Sequence, residues 1–333
     1  MTSAPVSPRL DRTITLTFQG DWGQANLHRI CGWLAQEIGD RSGPGSRFGI
    51  WNGRGGSDAV SAVLDGQVDL ALLVPSVASA MIAKGTGPLS VPGTERLRAL
   101  GTLPQRDRLV TCVDSALGVE THEQLVDMLP QLTVATSPAD GVNLVGLAAH
   151  RLLRAAGVEL GALEAAGGRF LYSEFPFPAI RAFALGEANV LIHEAIMMPA
   201  WQRVANVRPV RYLDVSQTIA DSFAEWAWPT ACVDRGYLPG LERDLTALEF
   251  SDFILFCRED LPDDVAALVA YCLTATRSAL EVQYRHLPPD RSPVTYPLQP
   301  SAISTTHLRL HPAAAQMYSL VGDAVADQAL IWA

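Results

Sequence analysis

The stretch Gly49 to Val74, GIWNGRGGSDAVSAVLDGQVDLALLV, restricts the fold more than any other part of the chain. It reads as a Gly-rich turn, a short helix over Ser57 to Leu64, a Gly-containing turn and an apolar run over Val68 to Val74. A run without polar alternation is what a strand covered on both faces requires. Such strands belong to parallel sheets flanked by helices.

The rest of the chain continues in the same way. Residues 13–18 alternate as a strand does, and Leu27, Ile30, Cys31, Leu34 and Ile38 then recur at helical spacing. Val77–Ala83 predicts a helix, and Arg98–Leu103 and Arg108–Val113 predict strands. A new unit starts near Asp114. Glu120–Met128 predicts a helix capped by Thr121, residues 132–137 a strand, and Leu144–Ala156 a helix closed by Gly157 at the left-handed stop position. Phe175–Leu185 reads as a helix and residues 189–195, NVLIHEA, as a strand. In the last third, FSDFILFCRED reads as a strand, Asp263–Glu281 as one amphipathic helix and MYSLVGDAVADQALIWA as a terminal helix. Strands that alternate with helices predict α/β lobes with mostly parallel sheets.

A length of 333 residues accommodates two domains, and 48% hydrophobic with 18% charged residues suits large cores rather than disorder. A net charge of -10 argues against nucleic acid as a partner, because such binding needs a basic face. The N-terminal residues MTSAPVSPRLDRTITLTF show no basic segment followed by an apolar one, so the chain as given is expected in the cytoplasm. A start lying upstream would make it extracytoplasmic. Cys31, Cys112, Cys232, Cys257 and Cys272 are widely spaced without a CxxC, and are expected to be reduced and mostly buried.

Three motifs now fall into a recognisable order. NGRGGSDAVSAVLDGQVDLALLVPSVASAMIAKG resembles the "GGS…N…L…GEVDLA…S…A…G" core of the TAXI-type solute-binding proteins of TRAP transporters. ALGVETHEQLVDMLPQLTVATSPADGVNLVGLAAHRLLRAAGV is similar to their second conserved segment, and LRLHPAAAQMYSLVG to their C-terminal one. The resemblance spans roughly residues 13–322. It implies a two-lobed type II periplasmic-binding-protein fold, with two crossing strands near Leu109–Val113 and Phe250–Cys257 and a small carboxylate held between the lobes. The implied layout is a flexible N-terminus over 1–12, a first lobe over 13–108, a second over 109–249, and a return to the first over 250–333. Two departures stand out. The family's GSG-like turn is Ser137-Pro138-Ala139-Asp140-Gly141 here, and its HPGA is His311-Pro312-Ala313-Ala314.

Strand-to-helix turns supply the candidate ligand contacts. At residues 20–26, Gly20 permits close backbone approach, a helix N-terminus attracts an anion, and Asp21, Trp22, Gln24 and Asn26 offer a cover and hydrogen bonds. An ordinary capped helix start with Asp21 or Gln24 at the N-cap fits the same residues. Arg54, Gly56 and Ser57 repeat the pattern with Ser57 as a plausible N-cap, and a plain turn with a solvated arginine is the alternative. Ser76 follows the Val68–Val74 strand, where open α/β sheets place ligands. In the second lobe, Ser137, Asp140, Gly141 and Asn143 form the equivalent turn. Asp140 either reads an amino or hydroxyl group or acts as a general base, or else forms an Asx-turn.

His193 and Glu194 end the NVLIHEA strand and are the pair best suited to catalysis, although neighbours on a strand point to opposite faces. A His satisfied in the wall beside a solvated Glu is the plainer alternative. Phe175, Phe177, Trp226 and Trp228 line an aromatic pocket or belong to the core. His307 and His311 lack an evident third ligand, so no metal is expected, and without a P-loop, GxGxxG, GxSxG or HExxH no cofactor is expected either. Two main functions follow. One is binding or sensing of a small organic acid, carboxylate or amino acid, aromatic ones included, which admits a membrane transporter partner and a homodimer. The other is a cytoplasmic cofactor-independent decarboxylase, lyase or isomerase, with His193, Glu194 and Asp140 as its acid–base groups. A scaffold that has lost its ligand is a third.

Overall fold

The computed structural model describes residues 8–20, 26–195 and 198–329. The chain divides into two compact units. Unit 1 holds the residues up to Gly85, Leu89–Arg106 and those from Ser251 on; unit 2 holds Thr86–Pro88 and Asp107–Phe250.

Unit 1 begins with β1 (Thr15–Gly20), α1 (Asn26–Gly39), β2 (Arg47–Asn52), α2 (Gly56–Leu64), β3 (Leu70–Leu73), α3 (Ser79–Lys84) and β4 (Leu97–Leu103). The helical spacing in α1 does what it should: Leu27, Ile30, Cys31, Leu34 and Ile38 are all buried, joined by Trp33. β2 is a strand where the sequence suggests a turn from Gly49. It pairs with β1 alone at the edge of the sheet and stays half-exposed, so its residues carry no clean alternation.

Unit 2 contains β5 (Arg108–Asp114), β6 (Thr133–Thr136), α4 (Leu144–Ala155), α5 (Leu160–Ala165), β7 (Arg169–Tyr172), α6 (Pro176–Ala184), β8 (Val190–Glu194), α7 (Met198–Val207), β9 (Val210–Leu213), α8 (Gln217–Ala224), β10 (Thr230–Val233) and β11 (Leu245–Glu249). Its sheet order is β10-β11-β5-β8-β6-β7, with β9 also on β5. The expected helix over Glu120–Met128 is instead a 3-10 run, Glu123–Gln131, entered at His122 and containing Pro130. Proline removes a backbone donor and clashes with the preceding turn of an α-helix. Thr121 does not cap it, and its own N–H goes to the Gln124 side chain at 3.2 Å.

The chain then returns to unit 1 as β12 (Phe253–Arg258), α9 (Asp263–Ala275), α10 (Ser278–Glu281), α11 (Pro300–Ile303) and α12 (Pro312–Ala329). β12 inserts between β3 and β4, antiparallel to both, giving the order β2-β1-β3-β12-β4. The single helix expected over Asp263–Glu281 breaks after Ala275. There the Thr276 hydroxyl bonds the Cys272 carbonyl at 3.0 Å and the Arg277 guanidinium takes the carbonyls of Thr274 and Leu298, so side chains replace the next helical turn. The segment before α12 adds to the sheet: the Ala99 N–H donates to Arg309 at 2.9 Å, and the His311 N–H donates back to Ala99 at 2.8 Å. His311 is buried with Nε2 on the Leu261 carbonyl at 3.1 Å, so this motif anchors the start of α12.

Both sheets are mixed: β2, β1 and β3 run parallel at one end of the unit 1 sheet, β8, β6 and β7 at one end of the unit 2 sheet, and the remaining pairings are antiparallel. The core of unit 1 runs from β1 and α1 through β12 to α9, with Phe18, Ile30, Leu34, Leu255 and Val269 fully enclosed. That of unit 2 gathers Cys112, Phe183, Leu191 and Trp201. Four cysteines are buried and Cys232 is exposed; none forms a disulfide.

One close approach fixes the turn that follows β6. A Cβ on Gly146, in the first turn of α4, would lie 2.0 Å from the Pro138 carbonyl oxygen. Gly146→Ala is therefore expected to destabilise unit 2 by about 1–3 kcal/mol, because backbone rather than a flexible side chain must move. Thermal unfolding and hydrogen exchange of the β6–α4 amides check this, and an unchanged Tm would show that the turn is not so tightly placed.

Candidate functional site

The carboxyl ends of the parallel strands gather on one edge of the unit 2 sheet. Thr136 of β6 lies beside Tyr172 of β7, and Ala135 beside Leu191 of β8. β5 runs the other way and starts at this edge, with Leu109 opposite Glu194, while β11 ends there with Glu249 opposite Arg108. Side chains just beyond such strand ends are where α/β sheets place ligands.

Ser137 and His193 come together at this edge. The Ser137 Oγ lies 3.5 Å from His193 Nε2, and both residues are buried. His193 Nδ1 accepts the Glu194 backbone N–H at 2.9 Å, so the neutral ring carries its proton on Nε2. Burial pushes the His193 pKa down to about 3. Glu194 is buried as well, with Oε2 at 3.8 Å from His193 Nδ1, and its carbonyl accepts the Trp201 indole N–H at 2.8 Å. The expectation that one of the pair faces solvent is thus corrected. β8 lies inside the sheet between β5 and β6, and all five of its residues are buried.

The turn into α4 is held by its own side chains. Asp140 is exposed, and its Oδ1 accepts the N–H groups of Val142 at 2.9 Å and Asn143 at 3.1 Å, an Asx-turn. Asn143 is the N-cap of α4, and its Oδ1 accepts from Val145 at 3.0 Å and Gly146 at 3.2 Å. Gly141 adopts a φ of 81° between them.

In unit 1 the corresponding edge carries Gly20, the loop at 53–57 and Ser76. Gly20 ends β1 opposite Asn52, and its carbonyl accepts the Gly53 N–H at 3.1 Å. The buried Gln19 side chain donates to Asp58 at 2.8 Å and lies so close that a Cβ on Gly53 would meet its amide at 1.9 Å. Asp58 also accepts the Arg54 N–H at 2.8 Å. The N-cap of α2 is Gly55 rather than Ser57, which sits half-buried inside the first turn, and Arg54 is exposed. Ser76 is buried and its N–H is shared by the carbonyls of Ser251 and Asp252. Asn26 accepts a 3.4 Å hydrogen bond from the Tyr284 hydroxyl. Asp21, Trp22 and Gln24 lie outside the described residues.

The aromatic candidates separate. Phe175 and Phe177 are 44% and 56% exposed at the start of α6, which follows the carboxyl end of β7. Trp228 is enclosed, donating its indole N–H to the Glu249 carbonyl at 2.6 Å and packing on Phe223 and Phe250. It is packed among core residues of unit 2.

Three charged residues at this edge carry no sequence signal. Asp107 is fully buried, with Oδ1 accepting the N–H groups of Arg108 at 2.7 Å and Ala195 at 3.0 Å, and Arg108 pairs with Glu249 at 2.9 Å. Strand pairing over long sequence separations brings them together. A groove of about 840 Å³ opens at the opposite edge of the unit 2 sheet, lined by Glu120, Glu123, Arg211, Asp214, Glu242 and Arg243 among others. None of the residues expected to bind ligand lines it, and its arginines are paired, Arg211 with Glu120 at 2.7 Å and Arg243 with Asp214. The carboxyl edge is the better candidate because the residues expected to bind ligand in unit 2, Ser137, Gly141 and Asn143, follow the carboxyl end of β6. Beneath the groove, His122 is buried between the Asp214 carbonyl at 2.9 Å and the Thr111 hydroxyl at 2.8 Å, and burial lowers its pKa to about 4.

No family model and no curated protein matches the sequence. Among solved structures, MatC from Rhodopseudomonas palustris with bound malate is 14% identical, over 94% of this chain and 99% of that one, with a TM-score of 0.51. A structure described as a periplasmic transporter gives 12% identity, 95% and 97% coverage and a TM-score of 0.49. A TctC solute-binding protein from Polaromonas gives 13%, 95% and 98%, and 0.48. At such identity the likeness to MatC shows the fold alone, the two-lobed α/β fold of periplasmic binding proteins.

His122 and His193 are neutral in the fold, whereas in the unfolded chain each takes up a proton near an ordinary pKa of about 6.5. Below that pH the unfolded state holds more protons, so stability is fully present above it and is lost on acidification. Each ring removes up to about 1.4 kcal/mol per pH unit between about pH 6.5 and its own lowered pKa. Tm is expected to fall from pH 6.5 to 4.5, and to fall less steeply in His122→Gln and His193→Gln. Slopes identical to wild type in both variants would show that the rings are not buried neutral.

Proposed function

We propose that this chain binds a small organic acid at the carboxyl-end edge of its parallel strands, as a TAXI-like solute-binding or sensing protein. Ser137 is the central contact, with Gly141 and Asn143 shaping its turn and Phe175 supplying an apolar face. Gly56, Ser57 and Ser76 occupy the same kind of edge in unit 1 and are proposed as contacts for the same class of ligand. MatC, which shares the fold, was determined with malate bound. A membrane transporter is the partner that the TAXI resemblance implies.

The observation that carries the binding role is the state of His193. A general base needs a bare nitrogen toward its substrate and a pKa near the working pH. His193 has its bare nitrogen on a backbone N–H, and its pKa is far below neutral. A buried neutral donor beside a serine serves recognition rather than proton transfer.

Ligand-observed NMR with pooled organic and amino acids, followed for several hours, tests this. Selective line broadening at constant peak area is expected. Conversion of one compound into another would replace binding by catalysis. Ser137→Ala is expected to weaken the selected acid by about 1–3 kcal/mol, the value of one charge-assisted hydrogen bond. Titration calorimetry reads that change, and equal affinity in the variant would remove the carboxylate from this turn.

A further inference from the structure

We infer that His193 is a positioning residue that turns the Ser137 hydroxyl into an obligate donor, so that the ligand atom received there is an acceptor oxygen, such as that of a carboxylate, and not a donor group. The inference rests on the proposed binding role and specifies the chemistry of that same site.

The hydrogen-bond inventory of the turn supports it. Four backbone N–H groups that could meet an anion, those of Val142, Asn143, Val145 and Gly146, are already taken by Asp140 and Asn143. The Ser137 hydroxyl is the side-chain donor of the same turn. It has one proton to donate and two lone pairs. Because the Glu194 N–H occupies Nδ1 of His193, the ring presents Nε2–H, and the 3.5 Å contact with Ser137 can only run from ring to hydroxyl. Ser137 thereby accepts, and its own proton points elsewhere with no acceptor among the described residues. A buried hydroxyl proton without an acceptor is costly. An oxygen of a carboxylate, or of another small oxyanion, satisfies it; an ammonium group cannot.

The same geometry removes a nucleophilic role. A serine nucleophile passes its proton to a bare imidazole nitrogen, and here that nitrogen is the protonated one. Ser137 and His193 are arranged for recognition with the polarity opposite to that of a hydrolase.

Two measurements test the inference. The first needs no ligand: ring-nitrogen NMR shifts of the seven histidines at neutral pH, with His193 assigned by its disappearance in His193→Gln. A pyrrole-type Nε2 and a pyridine-type Nδ1 are expected; the reverse assignment overturns the inference. The second uses an equimolar pool of malate, succinate, citrate, glutamate and benzoate, with putrescine as a cationic control. For the acid selected from it, His193→Leu should weaken binding about tenfold, and His193→Gln, which keeps a donor at the same reach, should stay within about threefold of wild type. Equal losses in both variants would make His193 merely structural, and binding of putrescine in place of the acids would reverse the polarity assigned to Ser137. Wild-type silence toward the whole pool would defeat the proposed function, while the ring-nitrogen shifts would still decide the orientation of His193.

Discussion

Each sheet contains a strand that runs against its parallel neighbours, β12 in unit 1 and β5 in unit 2, and that reversal decides where the chain can leave. Parallel strands must be joined by helices crossing the sheet face, so all of them end at the same edge. A strand of opposite direction starts at that edge. β4 ends there beside the start of β12, where Leu103 is opposite Phe253; β11 ends beside the start of β5, where Glu249 is opposite Arg108. Both passages of the chain therefore lie at the edge where ligand-binding α/β proteins place their sites. The Gln105 N–H on Asp252 at 2.9 Å ties the paired passages in unit 1, and the Phe250 N–H on the Asp107 carbonyl at 3.3 Å ties them in unit 2.

On that frame, the loops at the strand ends are stiffened by short polar side chains rather than by apolar packing. Asp58 holds the loop before α2 through Gln19 and Arg54, and Asp140 with Asn143 holds the turn before α4. Such local bonds satisfy backbone donors that helix starts leave open. They also reduce what those starts can offer a ligand. The start of α4 consequently has fewer open backbone donors than its sequence suggests.

Much of the architecture is legible from periodicity alone. The apolar stripe of α1, the unbroken run in β3 and the glycine stop after α4, where Gly157 has a φ of 88°, all translate directly into structure. Short strands do not. β2, β9, β10 and β11 are partly exposed and four to six residues long, and their pairing is set by partners distant in sequence. The same distinction governs the site. Ser137 and Asn143 announce themselves by sitting between a strand and a helix, whereas Asp107, Arg108 and Glu249 become neighbours only through β5 and β11. The capping assigned to Ser57 and Thr121 fails because a glycine and a proline-containing turn impose other geometries.

Asp140 shows how local bonding changes the meaning of a charge. A carboxylate in a turn that receives anions looks like a repulsive element. Here its Oδ1 faces two backbone N–H groups, and the side chain lies on the exposed side of the turn while Ser137 lies on the buried side. Exposed charge is screened by water, and a carboxylate that already accepts two amides has its field partly offset by them. On the buried side the side chains that meet each other are neutral, the hydroxyl of Ser137 and the Nε2–H of His193. Neutral donors of fixed direction recognise an anion without the desolvation cost that a buried cation would carry. A turn can therefore hold an aspartate and still receive an acid, provided the aspartate is used by the backbone and the donor lies behind it.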